Sequence, residues 1–210
     1  MTHILLGLRG AWLVLMGQTK RGFACFDASK NGVWRSFTVF FFIVPFYGAL
    51  LLKDGKTTLE GFVAHGFLLI VLVEGIIWLV YPLIMRNVAQ ALQRTNRFML
   101  FVAARNWTRA LRVMLMHVVF LLMPTKIGDA SGEPVLMISP FMAFVLLVTV
   151  IMLVRYQWLV AKEALSIHGG QAAMVVVLEM MVDVCGALFL QVYVHDLVSG
   201  HQSGDASRAV

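Results

Sequence analysis

The chain has 210 residues, 60% of them hydrophobic and only 13% charged, with a formal net charge of +6 at pH 7. A soluble core of this size cannot hide so much apolar surface, and a mean hydropathy of +0.84 sends most of it to lipid. Soluble enzymes, nucleic-acid-binding domains and disulfide scaffolds are set aside together, since Cys25 and Cys185 form neither a CxxC motif nor a plausible framework.

The fold class this implies is all-α: a polytopic five-transmembrane-helix bundle preceded by an N-terminal interfacial helix. Residues 4–16 are apolar but too short to cross about 30 Å of hydrocarbon. They lack a basic start and a small-residue cleavage site, so they read as a helix lying along the membrane rather than a signal peptide. Arg9 snorkels there and Trp12 sits at the headgroups. A polar, turn-rich connection follows over 17–32.

Five stretches then qualify as spans. Residues 36–52 are uncharged through 52 and flanked by Trp34 and Arg35. Residues 61–85 carry one charge, Glu74, near the middle. Residues 98–123 hold Arg105, Arg109 and Arg112 in their first half, and only the run that ends before Pro124 is clean. Residues 135–154 are uncharged and closed by Arg155, Tyr156 and Trp158. Residues 172–194 are apolar but contain Glu179 and Asp183. A turn-rich outer loop is expected over 128–134, and a brief amphipathic helix over 159–167, stopped by Gly169 and Gly170. The expected organisation is 1–35 cytoplasmic or interfacial, 36–195 transmembrane, and 196–210 a short flexible tail.

Cytoplasmic loops collect Lys and Arg, which orients the bundle. Five spans with an internal N-terminus leave only Lys53, Lys56, Lys126 and Arg208 outside, among 17 cations in all. The expected location is therefore the inner (plasma) membrane, N-terminus cytoplasmic and C-terminus periplasmic. The basic pI of about 9.7 is then explained by anionic lipid headgroups, each inner cation gaining about 1 kcal/mol near them, and not by nucleic acid.

Ionisable groups within a span cost roughly 2.5–3.5 kcal/mol each, so each needs a partner or a use. At 1.5 Å of rise per residue, Arg112 and Glu179 fall at one level, about 10 Å in, and Glu74 and Asp183 at another, about 16 Å in. Glu179 and Asp183 share a helix face, as do Arg105, Arg109 and Arg112. Arg112 is expected to pair with Glu179, and His117 with Glu74. Glu74, Arg112, His117, Glu179 and Asp183 thus form an expected intramembrane polar network. Its role is structural, or alternatively that of a proton or cation relay through Glu74, Asp183 and His117. Arg86, Arg94, Arg97, Arg105 and Arg109 form an expected basic face for lipid or a membrane partner, a homo-oligomer included. No catalytic constellation, metal spacing or cofactor motif stands out, so no enzyme activity is expected.

The layout of a polar inner N-terminal region, five closely spaced spans and short loops resembles the Yip family of five-span membrane proteins in its broad bacterial form. Phe26-Asp-Ala-Ser-Lys-Asn-Gly-Val-Trp-Arg-Ser-Phe37 and Arg155-Tyr-Gln-Trp-Leu-Val-Ala-Lys-Glu-Ala-Leu-Ser-Ile-His-Gly-Gly170 carry the resemblance, which covers roughly residues 20–195. It implies five spans and a non-enzymatic scaffold or association role. It brings no catalytic residues. The sequence-level expectation is a scaffold-type inner-membrane protein, with a small transporter or channel subunit as the alternative.

Overall fold

The computed structural model describes residues 2–53, 67–122, 127–128, 134–135 and 139–206, with side chains over 3–49, 67–122 and 139–189. Lys56, Lys126, Arg208, the side chain of Lys53, most of the expected outer loop and the first residues of the expected second span lie outside that set. The described chain is helical apart from one antiparallel pairing of Ile127–Gly128 with Pro134–Val135.

Helix α1 spans Thr2–Leu15 and α2 Thr19–Phe23. Between them Gly17 takes a φ of +79°, a left-handed conformation that suits glycine. Helix α3 (Lys30–Phe37) starts on a built cap: the Ser29 Oγ accepts from the Gly32 N–H, and Asp27 accepts from the Ser29 N–H. At Thr38 the chain leaves the helix, its hydroxyl donating to the Arg35 carbonyl, and resumes as α4 (Val39–Lys53), which accommodates Pro45. Helix α5 is Phe67–Ala91, α6 Phe98–Leu122, α7 Pro140–Leu165 and α8 Gly169–Ala206. A 3₁₀ turn, Thr95–Arg97, joins α5 to α6 after Gln93 reverses the chain at φ +56°. Ser139 caps α7 by accepting from the Met142 N–H, and Ser166 at φ +52° ends it.

Among the described residues, four helices are long and apolar enough to cross a membrane: Lys30–Ala49, Phe67–Ala91, Pro140–Leu165 and Gly169–Phe189. Helix α6 equals α5 at 25 residues, about 37 Å, but its three arginines keep it out of that set. It is nevertheless the hub of the bundle, in contact with α1, α3, α4, α5 and α7. Every residue from Phe101 to Ala110 on it is buried. A helix with no outward face through three turns is one whose polar side chains must be satisfied by its neighbours.

Fully buried side chains gather in one half of the bundle. There Phe23, Val33 and Phe37 meet Tyr81, Met85, Phe101, Ala161, Leu165 and Ala172, so that α2, α3, the end of α5, the start of α6, the end of α7 and the start of α8 converge. In the other half, Leu68, Leu72, Phe141, Phe144, Leu188 and Phe189 point outward. Lipid tails are as apolar as these side chains, so close packing and polar contacts hold such helices together. Two glycines permit the closest approaches. A Cβ on Gly7 would overlap the Trp107 ring, and one on Gly186 would overlap Ile77.

Several boundaries differ from the sequence-based expectation. The first apolar helix begins six residues earlier, at Lys30, and bends at Thr38. The expected amphipathic helix over 159–167 is the last turns of α7, because nothing before the left-handed Ser166 breaks its hydrogen bonding. Backbone helix continues through Ala206, past the expected start of a flexible tail at 196. Helix α1 forms where expected and buries Ala11 and Val14 completely, while Leu5, Leu6 and Trp12 stay exposed.

Candidate functional site: a buried cluster of charges

Arg105, Arg109 and Arg112 lie at i, i+4 and i+7 on α6 and project from one face, a consequence of 3.6 residues per turn. Glu179 and Asp183, at i and i+4 on α8, project towards them, and Glu74 comes from α5. Glu179 Oε1 receives all three guanidinium groups: Arg105 Nε at 3.3 Å, Arg112 Nη2 at 3.4 Å and Arg109 Nη1 at 3.8 Å. Arg109 Nη1 also donates to Asp183 Oδ1 at 2.7 Å, and its Nη2 to Glu74 Oε2 at 3.2 Å. Arg112 Nη2 completes the set at 3.3 Å from Asp183 Oδ2.

The arginines therefore stitch α6 to α5 and α8 at once, and three cations meet three anions. Side-chain exposure is 4% for Arg109 and 8% for Glu179, rising to 32% for Asp183 at the edge of the cluster. Burial at this depth removes water from both signs of charge, so neutrality inside the cluster is what makes the arrangement tolerable. Aromatic faces add to it. Arg105 Cζ lies 4.0 Å from the Tyr81 ring centre and 6.0 Å from that of Trp78, and Arg109 Cζ 5.8 Å from Trp78.

Two further polar contacts anchor the packed half. Asn106 Nδ2 donates to Ser36 Oγ at 2.9 Å, tying α6 to α3. The Tyr156 hydroxyl donates to the Ala11 carbonyl at 2.6 Å, tying α7 to α1.

The expected partnership of Arg112 with Glu179 is present, and Glu74, Arg112, Glu179 and Asp183 come together. Two expectations are corrected. Arg105 and Arg109 do not stand on an exposed basic face: they are 3% and 5% exposed, inside the cluster, because the α6 face that carries them turns to α5 and α8. His117 does not take Glu74. Its Nδ1 bonds the Val113 carbonyl one turn back at 2.8 Å, its ring stands edge-on to Tyr47 at 4.8 Å, and Glu74 is held by Arg109. Arg86, Arg94 and Arg97 are exposed. Tyr81, Trp78, Asn106 and Gln157 had no sequence signal of their own. Trp78 and Tyr81 meet Arg105, and Asn106 meets Ser36, only because neighbouring helices bring those partners to them.

Among the described residues no group of three or more His, Cys, Asp or Glu could hold a metal ion. The chemistry the cluster can perform is charge neutralisation across three helices, with Asp183 and Glu74 at its accessible margin. Comparison with known proteins returns no matching family model, no matching curated protein and no matching solved structure.

Proposed function

We propose that the chain is a non-enzymatic protein of the cell's inner membrane. In this reading it crosses five times, α6 being the span that composition alone misses, with its N-terminus in the cytoplasm and C-terminus in the periplasm. Helix α1 lies at the inner interface. A basic cytoplasmic face associates with anionic lipid headgroups or with membrane partners. The resemblance to the five-span Yip family belongs to the same proposal and assigns no residue roles.

The observation that carries this reading is the separation of charge. Among the described residues Glu74, Glu179 and Asp183 are all paired with arginines, whereas Arg9, Lys20, Arg21, Lys30, Arg35, Arg86, Arg94 and Arg97 are exposed on α1, α2, α3, the end of α5 and the turn after it. Exposed cations at one end of a membrane bundle attract anionic headgroups, each by about 1 kcal/mol. The test is lipid retention. Protein purified in mild detergent should carry several-fold less anionic phospholipid when Arg86, Arg94 and Arg97 are changed together to Glu, with unchanged thermal stability. Equal retention overturns the lipid-binding role.

One observation favours a second reading, a small transporter or channel subunit. From Arg105 to His117, α6 carries polar groups for about 18 Å along its axis. Glu74, Asp183 and Tyr47 adjoin that stretch. If this line relays protons or cations, Glu74→Gln with Asp183→Asn abolishes flux in proteoliposomes at normal expression. Wild-type vesicles silent to every imposed proton and cation gradient exclude it.

A further inference from the structure

The start of α8 leaves an apolar groove against the end of α5. Val88 and Leu92 form one wall, and Met174, Val177, Leu178 and Met181 the other, bounding about 500 Å³. That is within the roughly 300–1,000 Å³ of small-molecule sites. Met174, Val177 and Met181 are each more than half exposed, so the protein leaves the groove open. Gln171 is the one polar side chain among the described lining residues. Its Oε1 accepts from the His168 N–H at 3.2 Å, which fixes it at the mouth. From Gln171 to Met181 the groove follows α8 for about 15 Å. One leaflet of hydrocarbon is as deep, half of a core about 30 Å thick.

The charge at the mouth chooses the headgroup. Leu92 and Phe98, which bracket Arg94 and Arg97, pack in the same cluster as Trp158, Ile167 and Ala172. The turn carrying both exposed arginines therefore stands at the polar end of the groove, where α8 begins. Trp158 and Lys162 mark that end as the interfacial level. The indole donates to the Gly169 carbonyl at 2.9 Å, and the Lys162 ammonium lies 5.0 Å from its ring centre. Glu179, the carboxylate on this stretch of α8, is turned inward onto arginines. We infer that the groove seats one anionic phospholipid, with an acyl chain along α8 and its phosphate beside Arg94 and Arg97. The sign of the headgroup rests on the basic-face reading proposed above; the fixed acyl seat goes beyond it. A groove of similar size, about 440 Å³, lies between α4 and α5. It runs along Leu68 to Leu79 and ends about 18 Å before α5 does, away from that turn.

Native mass spectrometry of the full chain in mild detergent tests this, after delipidation and addition of phosphatidylglycerol or phosphatidylcholine with the same acyl chains. The wild type should hold one phosphatidylglycerol roughly tenfold more tightly than phosphatidylcholine. Val177→Trp fills the groove from a lipid-facing position and should lose that lipid. Leu72→Trp, in the other groove, should keep it. Should Val177→Trp fail to fold, Met181→Trp serves in its place. A lipid held equally by the groove variant and the wild type overturns the proposal, even where changing Arg86, Arg94 and Arg97 to Glu lowers lipid retention. Equal affinity for the two lipids overturns the anionic assignment, and the basic-face reading with it. A second copy of the chain bound in place of lipid, and lost in Val177→Trp, overturns the proposal as well and makes the groove an interface between copies.

Discussion

Arg109 donates to Asp183 at 2.7 Å, and with its other terminal nitrogen it reaches Glu74, so one side chain on α6 holds both α5 and α8. Removing it takes from Glu74 its ion-pair partner and leaves Asp183 with Arg112 alone. Arg109→Met is expected to destabilise the bundle by about 3–5 kcal/mol, the usual cost of breaking a buried pair from one side. Adding Glu74→Gln and Asp183→Asn to the same protein should recover much of that loss. Denaturant unfolding of the single and triple variants in detergent checks both statements.

Helix α1 is held against α6 by the absence of a side chain. A Cβ on Gly7 overlaps the Trp107 ring, so Gly7→Val must push α1 away or force the indole aside. Overpacking of this kind costs about 1–3 kcal/mol. Lys20 and Arg21 lie on α2, which packs against α1, so trypsin should cut there faster in Gly7→Val than in the wild type. Trp107→Ala in the same chain should restore protection, though not full stability.

The bond between Asn106 and Ser36 joins α6 to α3 in the buried half. Ser36→Ala leaves the Asn106 amide donor unpaired and should cost about 1–3 kcal/mol, whereas Asn106→Ala leaves the Ser36 hydroxyl its bond to the Val33 carbonyl and should cost less. The double variant should cost less than their sum. A double-mutant cycle in thermal or denaturant unfolding provides the measurement.

Asp27 lies outside the spans, where the Ser29 N–H bonded to its carboxylate holds its pKa below the ordinary 3.8. A depressed folded-state pKa means the contribution is complete above the unfolded value and disappears as pH falls through the folded one. The start of α3 should therefore fray under acid conditions below pH 3.8, and the Ser29 amide should lose hydrogen-exchange protection there. In Asp27→Asn that protection should no longer change with pH over the same range.

Much of this cluster was legible before the structure, and the reason is geometric. Rise per residue and helical period assign a level and a face, so Arg112 opposite Glu179, and Glu179 beside Asp183, follow from counting. Rotation of a whole helix about its axis does not follow from counting. By its charge Arg109 fits an exposed inner face, yet the packing of α6 against five other elements turns that face inward. His117 illustrates a different limit: the carbonyl of Val113, one turn back, is always within reach, and a local partner of that kind competes with any distant carboxylate. The Thr38 bend and the Ser166 stop depend on hydroxyl bonding and backbone torsion that apolar patterning does not encode.

The partners of the three α6 arginines are supplied mainly by α8, which is made after α6. While the chain is being made, α6 emerges with only Glu74 behind it, and its remaining cations have nothing to neutralise them. On the five-span reading proposed above, its entry into lipid waits for Glu179 and Asp183. In nascent chains halted before α8, α6 should therefore stay open to water-soluble labels that it resists once α8 is made.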